Sequence, residues 1–159
     1  MGNRFFGKEG VLKKEQIVTV TGLPADRFVT IIHPTASVSR SARIGRGVAI
    51  LQHVSVTTNV SIGDHVTILP NTVISHDDWI GDYSCVAGGV SISGNVRVGR
   101  SCYLGTGSVL ISGIAIGDGS LVGMGSVVLH DVEPDSVVAG NPARLLRRVT
   151  DQPIPSLDV

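Results

Sequence analysis

A six-residue repeat of aliphatic side chains constrains the fold of this chain more than any other feature. From Ile32 to Val128, every sixth residue is Ile, Val or Leu, without insertion or deletion over seventeen repeats. A second column, from Ala36 to Ser126, lies four residues after the first and consists mostly of small or β-branched residues. A period of six fits neither an α-helix nor a hairpin meander, whose side-chain periods are about 3.6 and 2 residues.

Glycines add a longer period, which indicates three repeats per turn. Gly45, Gly63, Gly81, Gly99 and Gly117 each follow an aliphatic position and are spaced eighteen residues apart. Three strands and three corners per turn make a triangular parallel β-helix, in which each coil covers the apolar edge of its neighbour. We therefore predict an all-β domain of just under six coils over residues 32–133, about 27 Å tall at about 4.8 Å per coil.

The flanking segments lack the repeat and are predicted to cap the coils, because open strand edges promote aggregation. In residues 1–31 we expect a weak helix over "RFFGKEGVLKKEQ" and a strand over "QIVTVT". The period fails at Pro134. Residues 134–159 are therefore predicted to form a turn, a short basic amphipathic helix within "GNPARLLRRV", and a loose tail.

Charge and hydropathy argue against several function classes. Thirteen basic and thirteen acidic residues balance, whereas a nucleic-acid or anionic-membrane surface needs a basic excess. No apolar run approaches the ~18 residues of a membrane helix and no signal peptide is visible, so we expect a cytoplasmic protein without membrane insertion. Cys85 and Cys102 are too few for a disulfide framework or a zinc site, and we interpret them as thiols of a reducing compartment.

One stretch places three ionisable residues in a row, "ISHDDWIG" at residues 74–81. His76, two positions after an inward aliphatic residue, should point off the prism, where it could remove a proton during acyl transfer. Asp77 beside it could hold the ring tautomer. Gly94 lies eighteen residues after His76, one coil away, where its N–H is open to a developing oxyanion. The alternatives are a solvated corner histidine and a turn aspartate without a catalytic role.

The remaining ionisable candidates receive weaker interpretations. Asp78 falls in the inward column, where a carboxylate costs several kcal/mol unless it is paired or protonated. Either the coil is distorted there or Asp78 bonds to backbone near His76, and its role is left open. The other histidines are interpreted as surface or subunit-contact residues: His33, His53, His65 and His130. His53, His65 and His76 are twelve and eleven residues apart, a spacing that does not suit a three-histidine zinc site.

The repeats, closed by "VVAGNPAR" at residues 137–144, resemble the hexapeptide-repeat acyltransferases over residues 32–149. Two motifs, "VISHDDWIGDY" and "SGNVRVG", are similar to those of bacterial enzymes that acetylate nucleotide-linked amino sugars or sialic acids for surface glycans. This resemblance implies a left-handed β-helix, a homotrimer, and acetyl-CoA as the acyl donor. The β-helix would then be an acyltransferase domain.

The resemblance also implies roles for individual residues. It places the catalytic base and its acidic helper at His76 and Asp77, and the oxyanion donor at Gly94. Contacts to acetyl-CoA, in a groove between two subunits, are implied at Cys85, Gly94, Thr106 and Met124, with Arg144 a candidate for its phosphates. The family has a histidine at the position of Cys85, so only a backbone or shape contact is expected there.

Two departures from the family leave the acceptor open. Members of this subgroup carry an N-terminal Rossmann-type nucleotide-sugar domain, whereas about thirty residues precede the coils here, as in a natural short form or a fragment. Leu69 stands where some amino-sugar enzymes have a substrate-holding asparagine. We therefore predict an acetyl-CoA-dependent N- or O-acetyltransferase acting on a sugar or nucleotide sugar. The alternative is a non-catalytic trimerisation or scaffold module.

Overall fold

The computed structural model describes residues 8–149, with side chains from residue 14 onward. Each of the seventeen repeats forms a two-residue strand that ends on its aliphatic residue. The strands are β1 Ile31–Ile32, β2 Ser37–Val38, β3 Arg43–Ile44, β4 Ala49–Ile50, β5 Ser55–Val56, β6 Ser61–Ile62, β7 Thr67–Ile68, β8 Val73–Ile74, β9 Trp79–Ile80, β10 Cys85–Val86, β11 Ser91–Ile92, β12 Arg97–Val98, β13 Tyr103–Leu104, β14 Val109–Leu110, β15 Ala115–Ile116, β16 Leu121–Val122 and β17 Val127–Val128.

Every third strand pairs in parallel, so the chain winds around three flat faces. Face A contains β1, β4, β7, β10, β13 and β16; face B contains β2, β5, β8, β11, β14 and β17; face C contains β3, β6, β9, β12 and β15. Partners are eighteen residues apart in register, as in Val86 with Leu104. The predicted β-helix of hexapeptide repeats is thereby confirmed, and the corners between faces form three edges, here called AB, BC and CA.

Both predicted inward columns form the core. The aliphatic column is fully buried from Ile50 to Ile116, and the second column is buried from Val48 to Ser126. Burying each large aliphatic side chain contributes about 1.5–3 kcal/mol before entropy is subtracted. In the first coil, Ile32 remains 44% exposed among the described residues, so this end of the stack is less well covered.

Most corners are turned by a residue in the left-handed backbone region, three positions after the aliphatic residue. Fourteen consecutive repeats, from Gly47 to Gly125, have positive φ at this position. Asn59, Asp77 and Asn95 occupy it on the BC edge, with φ of 59°, 61° and 61°. Gly, Asn and Asp tolerate this conformation better than other residues, so the corners explain why they recur in the sequence.

The N-terminal flank contains one helix, α1 Lys8–Val20, followed by a single 3₁₀ turn at Ala25–Arg27. The predicted strand over "QIVTVT" is therefore wrong, because most of that segment belongs to α1. The helix is anchored to the coils by polar contacts: Lys14 donates to Thr67 Oγ1 at 2.7 Å, and Glu15 pairs with Arg100 at 2.6 Å. These long-range contacts, rather than local β-propensity, decide the conformation of this segment.

The C-terminal flank is a hairpin, which corrects the predicted basic helix. β18 Ser136–Gly140 continues face A beside β16, and β19 Ala143–Arg148 folds back antiparallel on β18. In this last coil Val138 pairs with Val122, sixteen rather than eighteen residues away. The open strand edge of the last coil favours a strand, because it offers hydrogen-bond partners that a helix cannot use. The predicted loose tail, with Pro153 and Pro155, lies outside the described residues.

No helix within residues 8–149 is long and apolar enough to cross a membrane.

Candidate functional site

His76 and Asp77 form a hydrogen-bonded pair at the BC edge. His76 lies two residues after the last residue of β8, so its ring points outward, and its side chain is 57% exposed. Its Nδ1 is 2.9 Å from Asp77 Oδ2, and the Asp77 side chain is 46% exposed. The left-handed backbone of Asp77, with φ of 61°, places the carboxylate beside the preceding imidazole.

The chemistry of this contact determines the tautomer of the ring. An ionised carboxylate only accepts hydrogen bonds, so Nδ1 of His76 carries the proton and donates it to Asp77. In the neutral ring, Nε2 then carries the lone pair that a general base requires. The hydrogen bond from His76, and next the one from Asn59, hold the pKa of Asp77 below its ordinary value. Asp77 therefore remains a charged acceptor at neutral pH.

Gly94 lies against the His76 ring from the next coil. A Cβ at Gly94 would be 2.5 Å from both Nε2 and Cε1 of His76, so the imidazole occupies the space that any other side chain would fill. The register is set by the backbone, because Asn95 N–H donates to His76 C=O at 3.0 Å. Among the described residues the Gly94 N–H has no backbone acceptor.

Asn59 belongs to the same cluster and was missed from the sequence. It lies one coil before Asp77 on the BC edge, and its Nδ2 donates to Asp77 Oδ1 at 3.2 Å. The eighteen-residue spacing between Asn59 and Asp77 was the available signal. The structure thus places His76, Asp77, Gly94 and Asn59 together on three successive coils.

Asp78 points inward and is only 1% exposed, as its column predicted. Its Oδ1 accepts the Val96 N–H at 2.8 Å, so the coil is not distorted to expel it. Its Oδ2 has no hydrogen-bond partner within the described part of the chain. Burial raises the pKa of Asp78 to about 7, against the opposing effect of the bond from Val96. The neutral acid is therefore the form that suits this site.

Thr106 and Met124 lie on a different edge from His76. Both are at the AB edge, where Gly125 N–H donates to Thr106 C=O at 2.8 Å and stacks the two corners one coil apart. Met124 is 80% exposed. Face B separates this pair from the BC edge within one chain.

The AB edge has a shape that fits an extended ligand. Gly107 and Gly125 turn its corners beside Thr106 and Met124, and a Cβ added to either glycine would meet no described atom within 4 Å. Open backbone at successive corners leaves room for the pantetheine arm of CoA to run along the edge. The residues present therefore fit the cosubstrate that the sequence resemblance implies.

Cys85 is placed beside α1 rather than in an open groove. It is 9% exposed in β10, and burial raises the pKa of its thiol, an effect that the nearby Lys14 ammonium reduces. Burial also lowers the pKa of Lys14. A neutral, buried thiol is a poor nucleophile, so the Cys85 side chain is not expected to react.

Arg144 lies on the C-terminal hairpin instead of a helix. It pairs with Ala139 of β18, two strands beyond β16 in face A, and its side chain is exposed. Arg144 therefore lies beyond the coil that contains Met124, at the C-terminal end of face A.

The other histidines take no part in this cluster. His65 is buried between Phe28 and Tyr83, with its ring stacked on Tyr83 at 5.0 Å, whereas His130 lies three coils from His76 on the BC edge. Within the described residues, no three His, Cys, Asp or Glu side chains meet as a metal site would require.

Comparison with family models and with curated proteins gives no match. Solved structures do match. PerB from Caulobacter crescentus, in complex with CoA and GDP-perosamine, is 33% identical with a TM-score of 0.77, over 84% of this chain and 63% of that one. A variant of perosamine N-acetyltransferase from the same organism is 32% identical with a TM-score of 0.77, over 84% and 62% of the two chains.

The acetyltransferase domain of PglB from Neisseria gonorrhoeae, in complex with acetyl coenzyme A, is 30% identical with a TM-score of 0.81. The match covers 86% of this chain and 66% of that domain, so the chain spans slightly less than two thirds of the length of these relatives. The repeats, the faces and these similarities lead to one conclusion. The chain forms a β-helix of hexapeptide repeats and is similar in sequence and fold to sugar N-acetyltransferases.

Proposed function

We propose that this protein transfers an acetyl group from acetyl-CoA to an amino or hydroxyl group of a sugar or nucleotide sugar. The observation that carries the proposal is the His76 imidazole, whose Nδ1 is held by Asp77 at 2.9 Å while its ring lies against Gly94 of the next coil. The similar structures that contain CoA, acetyl-CoA and GDP-perosamine support this assignment. The acetylated sugar would serve bacterial surface-glycan biosynthesis in the cytoplasm.

The mechanism follows from the three groups at the BC edge. Acetyl-CoA, when bound, supplies a thioester carbonyl that an amine or hydroxyl can attack. His76 Nε2 takes the proton of the acceptor as the new N–C or O–C bond forms, and Asp77 stabilises the resulting imidazolium. The Gly94 N–H donates to the carbonyl oxygen as it becomes negative. The imidazolium then returns the proton to the leaving sulfur as the C–S bond breaks.

A homotrimer would complete the site. Thr106 and Met124 are separated from His76 by face B in one chain, so a single subunit cannot enclose a ligand that contacts both edges at once. Face B also exposes Val73 and Val109, at 40% and 42%, which a neighbouring subunit would cover. We expect light scattering at micromolar concentration to give three times the chain mass of 16.6 kDa. A monomer would contradict the groove between subunits.

The decisive experiment measures thiol release from acetyl-CoA with a panel of UDP-, GDP- and dTDP-amino sugars and sialic acids. His76→Ala should lower kcat by about 10²–10⁴-fold, because the base is lost. His130→Ala is the matched control, since it changes an exposed histidine on the same edge three coils away and should leave kcat unchanged. Equal turnover by wild type and His76→Ala would remove the proposed base.

The same panel separates the two classes of function. Turnover of an amino sugar, but not of its N-acetylated form, would establish N-acetyl transfer, and turnover of a sialic acid would establish O-acetyl transfer. No turnover with any acceptor, together with no binding of CoA by calorimetry, would favour the scaffold or trimerisation module instead.

A further inference from the structure

We propose that Asn59 is a positioning residue, which holds the Asp77 carboxylate in the orientation that presents His76 as a base. The proposal rests on the proposed acetyl transfer and extends it to a residue on a third coil. Asn59 does not approach the His76 ring in the hydrogen bonds described, so its action would pass through Asp77.

The contacts divide the carboxylate between two donors. Asp77 Oδ2 accepts from His76 Nδ1 at 2.9 Å, and Oδ1 accepts from Asn59 Nδ2 at 3.2 Å. Because a carboxylate is acceptor-only, the amide of Asn59 must turn its nitrogen toward it, and its orientation is therefore determined. With one oxygen bound on each side, rotation of the carboxylate breaks at least one bond.

The need for such a device follows from exposure. The side chains of His76 and Asp77 are 57% and 46% exposed, and a polar contact between exposed side chains is weak and samples several rotamers. General-base catalysis requires the reacting nitrogen to stay within hydrogen-bond reach of the acceptor. A third group fixed to the stack restricts Asp77, and through it the ring.

The backbone of Asn59 is well anchored for this task. Its N–H donates to Ser41 Oγ at 3.0 Å, and the neighbouring Thr58 C=O accepts the Asp77 N–H at 3.0 Å. Coil stacking therefore fixes the separation of the two corners. Asn59 has φ of 59°, a conformation that asparagine and glycine both adopt, so glycine can replace it without backbone strain.

The test compares Asn59→Gly with Asn71→Gly. Asn71 is an exposed corner residue with φ of 62° on the AB edge, so its replacement has the same backbone effect without touching Asp77. The first readout is the titration of the Asp77 carboxyl carbon by NMR. Loss of a donor to the charged form should move this titration to higher pH in Asn59→Gly and leave it in place in Asn71→Gly.

The second readout is a double-mutant cycle on kcat for thiol release. Asn59→Gly should lower kcat about fivefold in the wild-type background, with the KM for acetyl-CoA unchanged. In the Asp77→Asn background it should cause no further loss, because the group that it positions is already gone. An unmoved Asp77 titration, or an equal loss in both backgrounds, would overturn the proposal.

The two readouts also separate this proposal from the proposed function. A shifted Asp77 titration in a protein that releases no thiol with any acceptor would contradict acetyl transfer, and would support the contact between Asn59 and Asp77 alone.

Discussion

The buried acid Asp78 makes the stability of this protein depend on pH in an unusual direction. The group is 1% exposed, its Oδ1 accepts the Val96 N–H, and its Oδ2 has no hydrogen-bond partner among the described residues. Burial raises its pKa from 3.8 to about 7 in the folded protein. A raised folded pKa means that the folded state binds the proton more tightly. The contribution is therefore fully present below pH 3.8 and is lost as pH rises toward 7.

The magnitude follows from the two pKa values. At about 1.4 kcal/mol per pH unit, the difference amounts to about 4 kcal/mol once Asp78 is ionised. Between pH 5 and pH 8 the free energy of unfolding should fall by about 2.5 kcal/mol from this group alone. Asp78→Asn replaces the acid by a neutral side chain of the same shape, whose carbonyl oxygen can still accept the Val96 N–H. The variant should lose this pH dependence and be more stable than wild type at pH 8.

The assay is urea unfolding followed by circular dichroism from pH 5 to pH 8, at one protein concentration because association would shift apparent stability. Ser84→Ala is the matched control. Ser84 occupies the same inward column one six-residue repeat after Asp78, and its Oγ accepts the Cys102 N–H at 2.9 Å. This variant should lower stability equally at every pH, because no charge is involved. Equal pH slopes for wild type and Asp78→Asn would refute the reasoning.

Three further substitutions test the stacking and the site. Gly81→Ala should lower the free energy of unfolding by about 1–3 kcal/mol in urea titration, because its Cβ would lie 2.6 Å from backbone of the next coil. Gly94→Ala should leave stability nearly unchanged, since the exposed His76 ring can swing away, yet lower kcat for thiol release by about 10²-fold. An active Gly94→Ala enzyme would exclude close packing of ring and glycine as a requirement. Glu15→Gln breaks a half-exposed ion pair and should cost less than about 1 kcal/mol by thermal unfolding, and a larger loss would mean that α1 holds the coils together.

The coils could be predicted from the sequence because the aliphatic residues recur every six positions, which is also the interval at which the fold buries a side chain. Each hexad buries its aliphatic residue and the residue four positions later, so an uninterrupted six-residue pattern has one solution that covers both columns. The same logic placed His76 outward, and Gly94 one coil away in its column. The corner residues carried a further signal that was not used, the recurrence of Asn, Asp and Gly three positions after the aliphatic residue. Tyr83 and Ser101 also occupy this conformation, at φ of 60° and 54°, although their side chains give no such indication.

The flanks could not be predicted in this way, because no repeat constrains them. The sequence over residues 16–20 favours a strand locally. These residues nevertheless continue α1, the helix in which Lys14 and Glu15 contact the coils. Residues 143–148 have an amphipathic helical pattern, yet the open edge of β18 offers backbone partners and a strand forms. In both cases long-range hydrogen bonding outweighs a weak local preference.

The sequence alone determined the winding of the chain, since one side-chain period decides which residues are buried and which corners stack. Only the tertiary structure decided how the polar groups pair across coils: Asn59 with Asp77, and Asp78 with the Val96 amide. Spacing can bring two residues to the same edge, but hydrogen bonds depend on side-chain rotamers within about half an ångström.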